Sequence, residues 1–126
     1  MFELAVREKF SAAHHIRGYQ GDCGRPHGHT WLVEVFVRTV RLDQLDMAMD
    51  FRIFKKALRE VVGLWDHQDL NSLEDFKKTN PTAEQIAKIA FEKLSTLISD
   101  HGLTVDRVTV WESETTSATY FGESGA

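Results

Sequence analysis

The sequence predicts an α+β fold in which an antiparallel four-stranded sheet carries two helices on one face. Apolar residues alternate with polar residues near both ends of the chain, which is the period of strands. In the middle of the chain they recur at helical spacing instead. Strands and helices therefore fall into separate groups in the order ββααββ, which is typical of α+β rather than of alternating α/β folds.

The first two strands are predicted from their alternation. In residues 2–8, Phe2, Leu4 and Val6 share one face. Residues 30–40 alternate again, with four apolar side chains on one face: Trp31, Val33, Val35 and Val37. The segment between the two strands is rich in glycine and polar residues, so it is expected to be a loop.

Two helices are predicted next. Asp50 is placed to cap the first, whose apolar residues are Phe51, Phe54, Leu58, Val61, Val62 and Trp65. The second runs from Thr82 to about residue 99, with Pro81 at its start and Gly102 after its end.

The last two strands cover residues 105–112 and 117–121. Val108 and Val110 share a face with Glu112 in the first of them. A sheet of four strands leaves edges that need pairing or cover, so self-assembly into a homo-oligomer is expected.

Length and charge limit the possible classes of protein. A chain of 126 residues can build one core, so a single domain over residues 1–126 is predicted. The net charge of −4 argues against nucleic acid as a partner. No apolar run approaches the roughly 18 residues that span a bilayer. With no basic-then-apolar leader and a single cysteine, we expect a cytoplasmic protein without membrane partners.

The segment His27-Gly28-His29 is the sharpest local signal. Residues i and i+2 of an extended segment point to one side, so both imidazoles can reach one ion. His14 or His15 can supply a third ligand; His14 continues the even-numbered face of the first strand, whereas His15 points the other way. Three imidazoles and an open position are typical of catalytic zinc. The alternative is that the motif is merely a surface turn.

Cys23 lies four positions before His27 in a polar loop. A lone cysteine is usually a small buried apolar residue, but its polar neighbours argue against that. Nearby zinc favours the thiolate, which could act as a base. The alternative is a fourth zinc ligand, which would make the site structural.

Two further places carry candidate acid–base groups. Asp66 and His67 follow the first helix, and an aspartate can fix the tautomer of a histidine, although such a segment is more often only a helix end. Glu112 ends an apolar strand face, where a carboxylate needs a partner unless the strand frays and leaves it solvated.

Six segments in order resemble the 6-pyruvoyl-tetrahydropterin synthase family and cover nearly the whole chain. They are Phe10-Ser-Ala-Ala-His14, Cys23-Gly-Arg-Pro-His-Gly-His29, Met49-Asp-Phe51, Trp65-Asp-His67 with Leu70-Asn71, Asn80-Pro-Thr-Ala-Glu84, and Trp111-Glu112.

The resemblance implies the family's tunnelling fold and its shared site. Zinc would be bound by His14, His27 and His29. Cys23 would be the proton-abstracting base, Asp66 and His67 a proton relay, Glu112 the anchor of the pterin ring and Thr82 a secondary contact. The family often has a second threonine where this chain has Ala83. Its active sites lie between subunits of a hexamer made from two stacked trimeric barrels.

The resemblance also indicates a reaction. Three residues separate Cys23 from His27, as in the bacterial 6-carboxytetrahydropterin synthases of queuosine biosynthesis. Such an enzyme is a lyase that cleaves 7,8-dihydroneopterin triphosphate and releases acetaldehyde and triphosphate. His15, Arg17 and Arg25 are candidates for contacts with the triphosphate. The alternatives are a 6-pyruvoyl-tetrahydropterin synthase acting on the same substrate and a non-catalytic zinc- or pterin-binding protein.

Overall fold

A computed structural model describes residues 1–123. The elements are β1 (Phe2–His14), β2 (His27–Thr39), α1 (Phe51–Gly63), β3 (Gln68–Asp69), α2 (Ala83–Leu97), β4 (Thr104–Trp111) and β5 (Ser117–Tyr120). The sheet order is β3-β1-β2-β4-β5. Each predicted strand and helix is present, and the α+β class is confirmed.

The sheet has five strands rather than the predicted four. The additional strand, β3, is only two residues long and pairs in parallel with Ala12 and Ala13, whereas the other pairings are antiparallel. Two residues are too few for a period of two to be visible in the sequence. The sheet is therefore not wholly antiparallel, which corrects the prediction.

The C-terminal end of β1 and the N-terminal end of β2 extend further than the apolar alternation indicated. β1 continues from residue 8 to His14, and β2 begins at His27 rather than at residue 30. In β1 the buried face continues through Phe10, Ala12 and His14, whereas the start of β2, His27-Gly28-His29, has no apolar side chain and is defined by the backbone ladder. The extension matters because it places the candidate zinc ligands inside the sheet.

Both helices cover the same face of the sheet. α1 packs on β1, and α2 packs on β4 and β5. Asp50 caps α1 by accepting the Arg52 N–H at 2.8 Å, and the Thr82 hydroxyl caps α2 by accepting the Gln85 N–H at 3.1 Å. The predicted apolar face of α1 is buried at Phe54, Leu58, Val61 and Val62, whereas Phe51 at the start of the helix is exposed.

The ends of the helices differ slightly from the prediction. α1 ends at Gly63, two residues before Trp65, and α2 ends at Leu97, after which a short 3₁₀ turn leads to Gly102. Gly102 has the left-handed backbone expected after a helical segment. Within residues 1–123, neither helix is long and apolar enough to cross a bilayer.

Candidate metal centre and active site

Three histidines meet where the β1–β2 ladder ends. His14 pairs directly with His27, and His29 pairs with Ala12, so all three side chains share one face of the sheet. One ring nitrogen from each lies within 4.8 Å of the other two. Among residues 1–123 this is the one group of histidine, cysteine or carboxylate side chains close enough to hold a metal ion.

Backbone carbonyls orient two of the rings. His14 Nδ1 lies 2.7 Å from the Pro81 carbonyl oxygen, and His27 Nδ1 lies 2.6 Å from that of Arg25. Because a carbonyl oxygen can only accept, Nδ1 carries the hydrogen in each ring and Nε2 keeps its lone pair. This is the arrangement in which an outer partner fixes a metal-binding histidine.

The remaining nitrogens fit a metal ligand set. His14 Nε2 and His29 Nε2 are buried and have no hydrogen-bond partner in the part of the chain described. Burial is the main cause that lowers the pKa of both rings; the hydrogen bond to the Pro81 carbonyl and the charge of Glu112 oppose it at His14, and Glu112 opposes it at His29. The neutral imidazole is thus favoured, which is the form that coordinates a metal.

Glu112 stands beside the histidines. It follows the last residue of β4, and its carboxylate lies 3.7 Å from His29 Nε2 and 4.0 Å from His14 Nε2. Both distances are too long for a hydrogen bond. The strand does end here, as one alternative held, but the side chain is only 37% exposed and faces the cluster.

A small cavity opens next to Glu112. It has a volume of about 350 Å³ and lies between the start of α2 and the β4–β5 turn; Ala83, Glu84, Glu112, Thr116, Ser117 and Ala118 line it. Thr82 immediately precedes this wall, but its hydroxyl oxygen already caps α2. Its contact with a pterin ring stays a prediction.

Asp66 and His67 form a hydrogen-bonded pair. His67 Nδ1 lies 2.9 Å from Asp66 Oδ2, while Asp66 Oδ1 accepts the Ser11 N–H at 2.9 Å. The Ser11 bond is the main cause that lowers the pKa of Asp66. His67 has a positive φ of 60°, and its N–H donates to the Ser11 carbonyl. The segment is therefore more than a helix end, because β1 fixes both residues.

The pair is open to solvent within the single chain. The His67 side chain is 81% exposed. It borders a groove of about 590 Å³ that His29 also lines. The structure thus presents a hydrogen-bonded Asp66–His67 pair at the surface of the chain.

Cys23 lies outside the cluster of ligand atoms. It occupies a short 3₁₀ turn, Asp22–Gly24, and is exposed. Its carbonyl oxygen accepts the Ile16 N–H at 2.8 Å. Gly24 is required beside it, because a Cβ there would clash with the Tyr19 carbonyl oxygen. The three histidines group without the thiol, which argues against Cys23 as a fourth ligand, and its role as a base stays a prediction.

The neighbours of His14 have other contacts. The His15 backbone is held by Asn71, and its ring is not among the three grouped histidines. The Arg17 guanidinium donates to the carbonyls of Asn71, Phe76 and Thr79, so it serves a loop and is a poor candidate for the triphosphate. The sequence did not predict these loop contacts, although its two asparagines, Asn71 and Asn80, lie in segments that carried the resemblance.

The family model for 6-pyruvoyl tetrahydropterin synthase matches residues 3–123. The chain belongs to this family. Among curated relatives, it is 33% identical over 131 residues to the 6-carboxy-5,6,7,8-tetrahydropterin synthase of Bacillus subtilis, covering 98% of this chain and 88% of that one. It is 35% identical over 118 residues to the protein of the same name from Synechocystis, covering 89% and 87%.

Solved structures of the family share the fold. The 6-pyruvoyl tetrahydropterin synthase of Caenorhabditis elegans superposes with a TM-score of 0.85 at 29% identity, over 97% of this chain and 96% of that one. The 6-pyruvoyl tetrahydropterin synthase of Plasmodium falciparum superposes with a TM-score of 0.73 at 19% identity, over 94% and 96%, which shows the fold alone. The tunnelling fold predicted from the sequence is confirmed.

The geometry predicts different effects for two adjacent histidines. His14→Ala removes a buried ligand nitrogen and should reduce bound divalent metal to a small fraction of the unmodified level. His15→Ala, its matched control, should leave the metal content unchanged. Elemental analysis after equal metal loading measures both. Equal metal contents in the two variants would contradict the ligand set.

Proposed function

We propose that the chain is a zinc-dependent lyase of queuosine biosynthesis. It would convert 7,8-dihydroneopterin triphosphate and one water into 6-carboxy-5,6,7,8-tetrahydropterin, acetaldehyde and triphosphate. The observation that carries the proposal is the three-histidine cluster with its inward Nε2 atoms, in a chain of this family. Relatives named 6-carboxy-5,6,7,8-tetrahydropterin synthase favour this reaction within the family.

His14, His27 and His29 would hold the zinc ion. Three nitrogen ligands leave a position for substrate, as catalytic zinc sites require. The bound ion would act as a Lewis acid on the oxygen atoms of the substrate side chain. The Pro81 and Arg25 carbonyls keep two of the imidazoles turned toward that position.

Proton transfer would fall to Cys23 and to the Asp66–His67 pair. The Cys23 thiolate would accept a proton from a carbon of the substrate side chain. Asp66 accepts the Nδ1 hydrogen of His67 and so leaves His67 Nε2 free to take or give a proton. Exposure of both groups is compatible with a site that a second subunit completes.

Substrate orientation would depend on Glu112. Its carboxylate can accept hydrogen bonds from the ring N–H and the exocyclic amino group of a pterin in the adjoining cavity. Because the carboxylate also lies within 4.0 Å of two histidines, the ring would be anchored close to the metal. Thr82 would add a secondary contact at the start of α2.

We propose that the protein is a cytoplasmic homo-oligomer, as a hexamer of stacked trimeric barrels. The exposed Asp66–His67 pair, the open edge of β5 and the part of β1 that the two-residue β3 leaves unpaired support assembly. Sedimentation at micromolar concentration that gave only a species of single-chain mass would contradict it.

The reaction is tested by product analysis. Incubation of the zinc-loaded protein with 7,8-dihydroneopterin triphosphate should give equal amounts of acetaldehyde and 6-carboxytetrahydropterin by mass spectrometry. The C. elegans structure supports the alternative of a 6-pyruvoyl product, which forms without acetaldehyde. Substrate bound but unchanged would instead indicate a pterin-binding protein without catalysis.

Removal of the thiol distinguishes a base from a metal ligand. Cys23→Ala should keep its zinc and lose about 10²–10⁴-fold in turnover, the usual effect of losing a general base. Cys23→Ser should be nearly as slow, because a hydroxyl stays protonated at neutral pH. Zinc content and turnover are measured on the same preparation. Loss of zinc from Cys23→Ala would contradict the base role.

Glu112→Gln tests the ring anchor. Replacing a charged acceptor by a neutral amide should raise the KM about 10–100-fold, because hydrogen bonds to charged groups contribute about 1.5–3 kcal/mol. Zinc content should not change. Glu84→Gln, an exposed carboxylate bordering the same cavity, is the matched control and should leave the KM within about threefold. Zinc loss in Glu112→Gln would identify Glu112 as a ligand instead.

A further inference from the structure

The chain contains two asparagines, and both hold the segment that follows β1. Asn71 accepts the His15 N–H at 2.9 Å and donates to the His15 carbonyl at 3.0 Å. Asn80 accepts the Arg17 N–H at 2.8 Å and donates to the Arg17 carbonyl at 3.2 Å. Each amide side chain thus forms the pair of hydrogen bonds that a neighbouring strand would form.

Ile16, which lies between the two residues that the asparagines bind, forms a hydrogen bond with Cys23. The Ile16 N–H donates to the Cys23 carbonyl oxygen at 2.8 Å. Residues 15, 16 and 17 are therefore bonded alternately, to Asn71, to the Cys23 turn and to Asn80. Any movement of His15 or Arg17 would be passed to the turn through the Ile16 bond.

The same segment is tied back a second time. The Arg17 guanidinium donates to the carbonyls of Asn71, Phe76 and Thr79, so Arg17 is also bound to residues 71–79 through its side chain. The residue after Asn80, Pro81, presents its carbonyl to His14 Nδ1. Residues 71–81 therefore bind His15 and Arg17 in the loop that leads to Cys23, and they also orient His14, a proposed zinc ligand.

We propose that Asn71 and Asn80 are positioning residues for Cys23. They hold residues 15–17 in an extended form, and Ile16 then fixes the Cys23 turn relative to the three histidines. This inference rests on the proposed role of Cys23 as the base. Asparagine suits the task because its side chain offers both an acceptor and donors, whereas aspartate keeps only the acceptor and alanine keeps neither.

The experiment uses the full zinc-loaded chain with four variants, Asn71→Ala, Asn71→Asp, Asn80→Ala and Asn80→Asp. Gln44→Ala, which removes an exposed amide from another loop, is the control. The first readout is hydrogen exchange of the Ile16 amide, whose acceptor on Cys23 none of these substitutions alters. The Asp43 amide, bonded to the Met47 carbonyl in that other loop, serves as the internal reference.

The alanine variants should exchange the Ile16 amide about tenfold faster, and the aspartate variants should fall between these and the unmodified chain. The Asp43 amide and the zinc content should stay unchanged in all of them. Unaltered exchange at Ile16 in both alanine variants would contradict the proposal that Asn71 and Asn80 hold residues 15–17, whatever reaction the protein catalyses. The aspartate variants keep the test decisive if an alanine variant fails to fold.

Turnover is measured in a double-mutant cycle with Cys23→Ala. Asn80→Ala should lower kcat about 10–100-fold in the unmodified chain, since small misplacements of a reacting group have effects of that size. It should have no further effect when Cys23 is already alanine. An equal reduction in both backgrounds would show that Asn80 acts on the fold or the metal, and would overturn the proposal. Normal turnover of Cys23→Ala alone would refute the base role before any asparagine variant is considered.

Discussion

The pairing of β1 with β2 is the interaction on which the candidate site depends. Its register runs from Phe2 opposite Thr39 to His14 opposite His27. Because side chains alternate across a strand, a slip of one residue would move His14 to the opposite face from His27 and His29. The metal ligands are therefore positioned by the same backbone ladder that builds the sheet.

The core fixes that register. Phe10 and Trp31 are paired across the two strands, and their rings stack with centroids 6.0 Å apart. Trp31 is fully buried, and its ring also contacts those of His14 and His29, with centroids 4.9 and 5.2 Å away. A slipped register would remove Trp31 from the core, which is costly for so large a side chain. Hydrophobic burial thus holds the histidines in place.

The sequence predicted the helices, the four main strands and the histidine triad, because each has a local signal. Alternation and helical spacing indicate which residues are buried, and His27-Gly28-His29 predicts two metal ligands on one face of a strand. The choice of His14 over His15 required the even-numbered face of β1 to continue past residue 8 without a bulge, and the unbroken register from Phe2 to His14 confirms that it does. The two-residue β3 and the 3₁₀ turns leave no period to detect.

Contacts between distant segments were beyond sequence reasoning. Nothing in the pattern around Pro81 indicates that its carbonyl faces His14, 67 residues away. The bond from Ser11 to Asp66 and the approach of Glu112 to the cluster are equally non-local. Arg17 was a reasonable phosphate ligand from its charge alone, but its guanidinium is directed to loop carbonyls. Charge in a sequence does not reveal which acceptors the fold supplies.

The central claim is a zinc ion held by three histidine nitrogens, with the thiol of Cys23 left free to act as a base. X-ray absorption at the zinc edge of the loaded protein tests it most directly. The account predicts nitrogen or oxygen scatterers at about 2.0–2.1 Å and no sulfur. A sulfur scatterer at about 2.3 Å would contradict it, because Cys23 is the one cysteine in the chain.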